Sequence, residues 1–423
     1  MRFQFIHAAD LHLDTPFTGM HRVDASLVDT LRDATTKAFD NLVAVALERS
    51  VAFVVIAGDV YDGPDRGVRA QLAFRNGLDR LAQAGIPTFV VHGNHDPVEE
   101  GWSAVRKWPD GVTVFGAGAV STVSVERDGQ TLALIHGISY PRRAVAENLA
   151  LRFHRDPADC FQVGVLHCNA GANADHAPYS PCSIDDLMAS QLDYWALGHV
   201  HLRQNLHENG PWIAYPGSLQ GLSPKPSERG AKGALVVEVD DRRVTGVEFE
   251  PLDVIRFDEF EIDIAGISDV AGLLDALVEA AHARAAVHYG RAVVLRVSLT
   301  GRGAVHRDLR RGHIRDFVLQ PARAALASAT QTVWLDVVED RTSPEIDVDS
   351  LRGRGDIAAD LVETVDAMLA APATAAELIA THQDSLPTGD LRRLLGDALD
   401  AAPTVDEIRR ALEVALDRVT EVA

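Results

Sequence analysis

Five apolar runs in the first half of the chain are each followed at once by residues of types able to ligate a metal. Phe3 to Ala8 leads into Asp10-Leu11-His12, Ala52 to Ala57 into Gly58-Asp59-Val60-Tyr61-Asp62, and Thr88 to Val91 into Gly93-Asn94-His95-Asp96. Gln162 to Leu166 leads into His167-Cys168-Asn169, and Tyr194 to Leu197 into Gly198-His199-Val200-His201. Runs in which β-branched and aromatic residues cluster between polar ends are expected to be buried strands, and Thr131 to Ile135 and Ala234 to Val239 share the pattern. Between the first two runs Leu27, Leu31, Ala34, Ala38, Leu42 and Val45 recur at helical steps, with Ser26 placed to cap the helix. A second helix over Val68 to Ala84 stops at Gly85 and Pro87. Strands alternating with helices predict an α/β domain over residues 1–255, and such sheets build their sites at the carboxyl ends of their strands.

A single D-x-H or H-x-H triplet carries little weight. Five clusters of Asp, His and Asn, all at strand ends and three beside glycines, point jointly to one site. Oxygen and imidazole donors without thiolates suit a divalent ion such as manganese, magnesium, iron or zinc. Alternate residues of an extended chain project the same way, so Asp10 and His12 can reach one ion.

Composition narrows the setting. Apolar residues make up 47% of the 423, enough for packed cores, which excludes a wholly disordered chain. Cys160, Cys168 and Cys182 form no C-x-x-C pair and are too few for a disulfide framework, so a reducing, cytoplasmic location is expected. Cys168 points away from its neighbour His167 and is read as packing. No apolar stretch has the length of a membrane span, and the N-terminus enters a strand instead of a signal peptide. A net charge of −21 repels phosphate backbones except where metals or basic patches intervene.

Past Pro251 the texture changes to a smaller α/β unit over residues 256–340: a strand at Phe257 to Ile264, a helix through Leu273 and Leu277, and strands at Ala292 to Leu299 and Thr332 to Val338. Within it Gly301 to Phe317 carries Arg302, Arg307, Arg310, Arg311 and Arg315. These arginines either contact nucleic-acid phosphates, for which guanidinium forks are suited, or form a solvated helix face. Residues 341–423 hold eight basic and seventeen acidic side chains and have helical spacing at Ile357 to Leu369, Leu391 to Leu399 and Thr404 to Val419.

The ordered series D-x-H, G-D-x-x-D, G-N-H-D, lone His and G-H-x-H resembles the signature of the calcineurin-like metallophosphoesterases. Ala196-Leu197-Gly198-His199-Val200-His201 and Tyr215-Pro216-Gly217-Ser218 are similar to the SbcD branch of DNA-repair nucleases. The opening His7-Ala8-Ala9-Asp10-Leu11-His12-Leu13-Asp14-Thr15-Pro16-Phe17 and the insert Asp175-His176-Ala177-Pro178-Tyr179 look closer still to its YhaO subgroup. The resemblance covers residues 1–255, and the remainder only in general layout. It implies a four-layer αββα sandwich with a small α/β cap and a C-terminal helical segment that docks a partner.

It also implies a first ion held by Asp10, His12, Asp59 and His201 and a second by Asp59, Asn94, His167 and His199. Two such ions lower the pKa of water and clamp phosphate oxygens during in-line displacement. His95 would be the general acid, with Asp62 orienting it. Asp96 is read as capping the turn before Pro97 and Asp14 as a loop residue. His176 and Tyr179 either touch substrate or form plain surface. By resemblance the activity is that of a manganese-dependent 3′-to-5′ DNA exonuclease, homodimeric and paired with an SbcC-like coiled-coil ATPase. The acidic charge favours a second reading, a phosphodiesterase of small nucleotides; a third is a scaffold that chiefly recruits the ATPase.

Overall fold

The computed structural model describes residues 1–20, 25–63, 67–100, 102–171, 179–312, 314–327, 331–345, 347–370 and 405–421. Chain contacts divide it into two units: Met1–Phe260 with Leu277–Val297 and Leu319–Val338, and Glu261–Ala276 with Ser298–Val318 and Glu339–Ala423.

The first unit is built on two six-stranded sheets. One contains β1 (Arg2–Ala8), β2 (Phe53–Ala57), β3 (Thr88–Val91), β4 (Val112–Val114), β11 (Gly233–Asp240) and β12 (Arg243–Pro251), in the order β12-β11-β1-β2-β3-β4. The other contains β5 (Ser121–Arg127), β6 (Gln130–Gly137), β7 (Phe161–His167), β8 (Tyr194–Gly198), β9 (Gln204–His207) and β10 (Trp212–Tyr215), in the order β5-β6-β7-β8-β10-β9. β1, β2, β3 and β4 run parallel, as do β6, β7, β8 and β10, while antiparallel hairpins form three of the four outer edges and β4 the fourth. Asp128 and Gly129, both at positive φ, make the two-residue turn of the β5–β6 hairpin, as twisted hairpins require.

Alternation along the strands sorts their side chains into layers. Phe5, Phe53, Val55, Phe89, Phe161, Val163 and Tyr194 meet between the sheets, where Phe5 and Phe53 stack at 4.7 Å. From the opposite face of the first sheet Ile6, Val54, Ile56 and Val90 pack on α1 (Ala25–Glu48) and α2 (Val68–Gln83) through Phe39, Leu42, Phe74 and Leu78. From the outer face of the second, Leu166, Trp195 and Leu197 pack on Leu187 of α3 (Ile184–Ala189). The four αββα layers expected of the core are therefore present.

The strands read from the sequence lie within a residue or two of their observed limits. The helix read with Ser26 as its N-cap already includes Ala25, so Ser26 lies within α1. Strands β4, β5, β9, β10 and β12 had no sequence counterpart. β5, β9 and β12 are edge strands whose polar residues dilute their apolar content, and β4 and β10 are only three and four residues long.

A third sheet orders β13 (Ile255–Asp263), β14 (Ala292–Thr300) and β15 (Val333–Asp340), with α4 (Val270–Ala286) connecting the first two. Ile255, Phe257 and Val294 pack on Leu31 and Ala34 of α1, which assigns part of this sheet to the first unit. The second unit includes α5 (His306–Arg311), and its helices α6 (Val348–Leu351), α7 (Ile357–Ala370) and α8 (Val405–Glu421) share a core of Leu351, Val362, Val365, Ile408, Leu412 and Leu416. The helix expected at Leu391 to Leu399 lies outside the described residues, as does His176. Among the described residues no helix is long and apolar enough to cross a membrane.

Candidate metal centre

Parallel pairing of β1, β2 and β3 brings Asp10, Asp59 and Asn94 to one edge of the first sheet, and β7 and β8 bring His167 and His199 to the second. Backbone hydrogen bonds continue past the strand ends, from Asp10 N to Gly58 O (3.1 Å), His12 N to Asp59 O (3.0 Å) and Cys168 N to Gly198 O (3.1 Å). Asp10, His12, Asp59 and His199 then take positive φ values of 51°, 43°, 50° and 107°, in a region that side-chain-bearing residues rarely occupy. Such strain persists only where surrounding contacts over-determine it, and here it turns donor side chains out of the strand register toward one another.

Of the seven expected ligands, Asp10, His12, Asp59, His167 and His201 fall in groups of close donor atoms, Asn94 adjoins His167, and His199 lies outside those groups with its ring against that of His167. His12 Nε2 and His201 Nε2 face each other at 3.1 Å, and these two with Asp10 form one group of donors close enough for a single ion. Asp10, Asp59 and His167 form a second. Asp10 belongs to both groups, and Asp59 Oδ2 stands 3.3 Å from His167 Nε2 in its own group and 4.0 Å from His12 Nε2 in the other. Asn94 Oδ1 is 3.0 Å from His167 Nε2, and the His199 ring meets the His167 ring edge-on with centroids 5.3 Å apart. Asp10 accepts the amide of His199 on both carboxylate oxygens at 3.1 Å.

Two observations show that this donor set fits divalent cations. His167 Nδ1 donates to Ala57 O at 2.9 Å, so Nε2, facing the oxygens of Asn94 and Asp59, has its lone pair aimed at acceptors unless a proton or cation lies between. Second, glycines leave the room: a Cβ at Gly93 would collide with Asp59 Oδ1 and the His167 ring, and one at Gly58 with the same ring. Without a cation, electrostatics compensate by proton. Burial acts to lower His167, but the Asp59 carboxylate overrides it and lifts the ring to about 9. Burial conversely acts to raise Asp59, and the charge and hydrogen bond of His167 hold it well below the carboxylate range. Burial pushes His12 down to about 4, which keeps its lone pair available, and raises Asp10 to about 6.

His95 stands beside the donors with its ring edge on His12, centroids 5.0 Å apart, and its amide donates to Asp59 Oδ1 at 3.0 Å. Its Nδ1 is 2.5 Å from Asp62 Oδ1. Burial acts to lower His95, but the Asp62 hydrogen bond and the Asp59 and Asp62 charges raise its pKa above the ordinary histidine value.

Asp96 is a member of none of the donor groups; fully buried, it accepts from Gly93 N (2.8 Å), Val60 N (2.9 Å) and His92 Nδ1 (2.7 Å) and so ties two site loops together, well beyond a local turn. Cys168 is core packing, its Sγ 3.7 Å from that of Cys182. Tyr179 lays its ring edge-on to His199 at 5.6 Å. The arginines belong to the second unit. Arg302 Nη1 donates to Pro344 O at 2.7 Å and its guanidinium lies 3.4 Å from Glu413, which gives it a bracing role within that unit. Arg307 and Arg310 line an open cavity of about 960 Å³ with Arg354, Glu345 and Asp347, and Arg311 is exposed.

Sequence reasoning missed Glu228 and Lys232. Glu228 Oε1 lies 2.5 Å from His201 Nδ1, and buried Lys232 donates its Nζ to His201 O at 2.7 Å. Neither has a local signal, since Glu228 is 27 residues from His201 in the chain.

Comparison with known proteins agrees with this geometry. Residues 3–203 match the calcineurin-like phosphoesterase family and are a domain of that kind. Residues 257–343 match a narrower family, the middle domain of metallophosphoesterase YhaO. The chain is 34% identical over 269 residues to the uncharacterized metallophosphoesterase YhaO of Bacillus subtilis, covering 64% of this chain and 65% of that protein. It is 30% identical over 217 residues to the DNA double-strand break repair protein Mre11 of Thermoplasma acidophilum, covering 49% of this chain and 56% of that protein. With the Mre11 of Haloferax volcanii it shares 28% over 270 residues, 62% of this chain and 55% of that protein. The chain thus spans less than two thirds of the length of each of these relatives.

Proposed function

We propose that this chain is a two-metal phosphodiester hydrolase that degrades DNA as a 3′-to-5′ exonuclease in repair. The observation that supports the reading is that the Asp59 carboxylate, grouped with Asp10 and His167, also comes within 4.0 Å of His12 in the other donor group. Asp10, His12, Asp59 and His201 would hold one ion, and Asp59, Asn94, His167 and His199 the other. Manganese is the first candidate, with magnesium, iron or zinc as alternatives; when bound, the pair supplies an activated water and neutralises phosphate charge.

The remaining steps belong to side chains. Asp62 accepts the Nδ1 proton of His95, which fixes the tautomer and leaves Nε2 to carry the proton for the leaving oxygen. Asp59 holds the His95 amide, so the acid and the ligand loop keep register. Residues 1–255 would form the catalytic core, 256–340 an accessory domain whose Arg302, Arg307, Arg310 and Arg311 lie near nucleic acid, and 341–423 a helical segment docking an SbcC-like coiled-coil ATPase. A cytoplasmic homodimer is the expected setting. The two Mre11 relatives, named as double-strand break repair proteins, support DNA as substrate. The net charge of −21 favours a second reading, a phosphodiesterase acting on a small nucleotide.

Labelled duplex and single-stranded DNA, bis-p-nitrophenyl phosphate and cyclic nucleotides would be incubated with manganese, magnesium or chelator. Mononucleotide release from DNA that needs metal and is lost in His95→Gln supports the nuclease. Turnover of small diesters with DNA left intact, also after an ATPase partner is added, transfers the assignment to the second reading.

A further inference from the structure

We infer that Glu228 is a positioning residue for the metal centre, acting through His201. The inference rests on the two-metal reading above. The turn Pro226–Glu228 opens with proline at the position where a missing N–H costs nothing, and Glu228 N donates to Lys225 O at 2.9 Å. A Cβ at Gly221 would collide with Glu228 O, so this backbone lies against the chain beside the site. The two carboxylate oxygens have separate tasks: Oε2 accepts Leu222 N at 3.2 Å, and Oε1 meets His201 Nδ1.

That last contact has a consequence for the opposite side of the ring. A neutral imidazole that donates its Nδ1–H to a carboxylate has its lone pair on Nε2, and Nε2 is the atom that faces His12 Nε2. The carboxylate also adds electron density to the ring and strengthens it as a ligand, as outer carboxylates do for metal-bound histidines. Lys232 completes the arrangement. Its ammonium is buried, donates to the carbonyls of His201 and Ser227, and supplies the positive charge that a buried Glu228 needs. His167 achieves tautomer control with a neutral acceptor, Ala57 O. The two donor groups therefore differ in kind, and loss of Glu228 should weaken one ion selectively.

The test is a manganese titration of the full-length, chelator-stripped protein, with free and bound ion read by electron paramagnetic resonance. The wild type should take up two ions with an exchange-coupled spectrum. Glu228→Ala should weaken one ion by roughly tenfold to a hundredfold, leave the other within about threefold, and replace the coupled spectrum by a mononuclear one. Glu228→Gln keeps an acceptor oxygen and the side-chain shape, so it should fold and show a smaller loss at the same ion; it decides the matter if the alanine variant fails to fold. Unchanged binding of both ions, or equal weakening of both, overturns the inference while leaving the metal centre standing. A wild type that binds fewer than two ions overturns the two-metal reading and this inference with it.

Discussion

Asp96 offers a quantitative check on how the site is held together, because its role depends on no ion. Its carboxylate is fully buried and accepts three good hydrogen bonds, from Val60 N, Gly93 N and His92 Nδ1, with a longer fourth from Tyr61 N at 3.4 Å. Hydrogen bonds to a charged acceptor contribute about 1.5–3 kcal/mol each, which for three would sum to roughly 5–9 kcal/mol if they were additive. They share one carboxylate and are not additive, so the measured cost of breaking a buried pair, about 3–5 kcal/mol, is the better expectation for Asp96→Ala. Asp96→Asn retains one carbonyl acceptor and the shape, and should cost about 1–2 kcal/mol. All five tryptophans, Trp102, Trp108, Trp195, Trp212 and Trp334, belong to the first unit, so urea unfolding followed by tryptophan fluorescence reads the relevant transition. A loss under about 1 kcal/mol for Asp96→Ala, the range of a surface site, would refute the assignment of Asp96 as the tie between the two loops.

Asp59→Asn should abolish hydrolysis and weaken both ions, whereas His95→Gln should bind both and slow turnover by roughly two to four orders of magnitude; metal-dependent turnover retained in Asp59→Asn would contradict the site. As a general acid His95 works protonated, and Asp62 helps raise its pKa, so kcat should fall as pH rises past that raised value. Asp62→Asn should then move the falling limb of the kcat profile to lower pH, and an unmoved limb would exclude the pairing. In the chelated protein His167 has a folded pKa of about 9, above its unfolded value, so its contribution to stability is complete below about 6.5 and disappears as pH rises through 9. Thermal melts of chelated protein should fall across that window, and a flat or rising melting temperature would count against the His167–Asp59 pairing.

The layers and the clusters of candidate donors were legible in the chain because both are local. A buried parallel strand such as Phe53–Ala57 is apolar on both faces, so it reads as a continuous run, and the candidate donor Asp59 follows within two residues. Chain order alone also named His95 and Asp62, through the resemblance of G-D-x-x-D and G-N-H-D to a known family. Edge strands such as β9, with half-exposed polar side chains, lacked that contrast. What the tertiary structure decided lies across chain distance. Glu228 meets His201 and Lys232 meets the same residue's carbonyl only because a turn 27 residues downstream folds back beside β8. Asp96 reads locally as a turn residue, yet it grips Val60 36 residues away. The positive φ values at Asp10, His12, Asp59 and His199 belong to the same class, since no local preference selects them. Propensity and pattern record what a residue does for its own strand. Strain and buried ion pairs are sustained only by the packing of distant segments, and so become visible only in the folded chain.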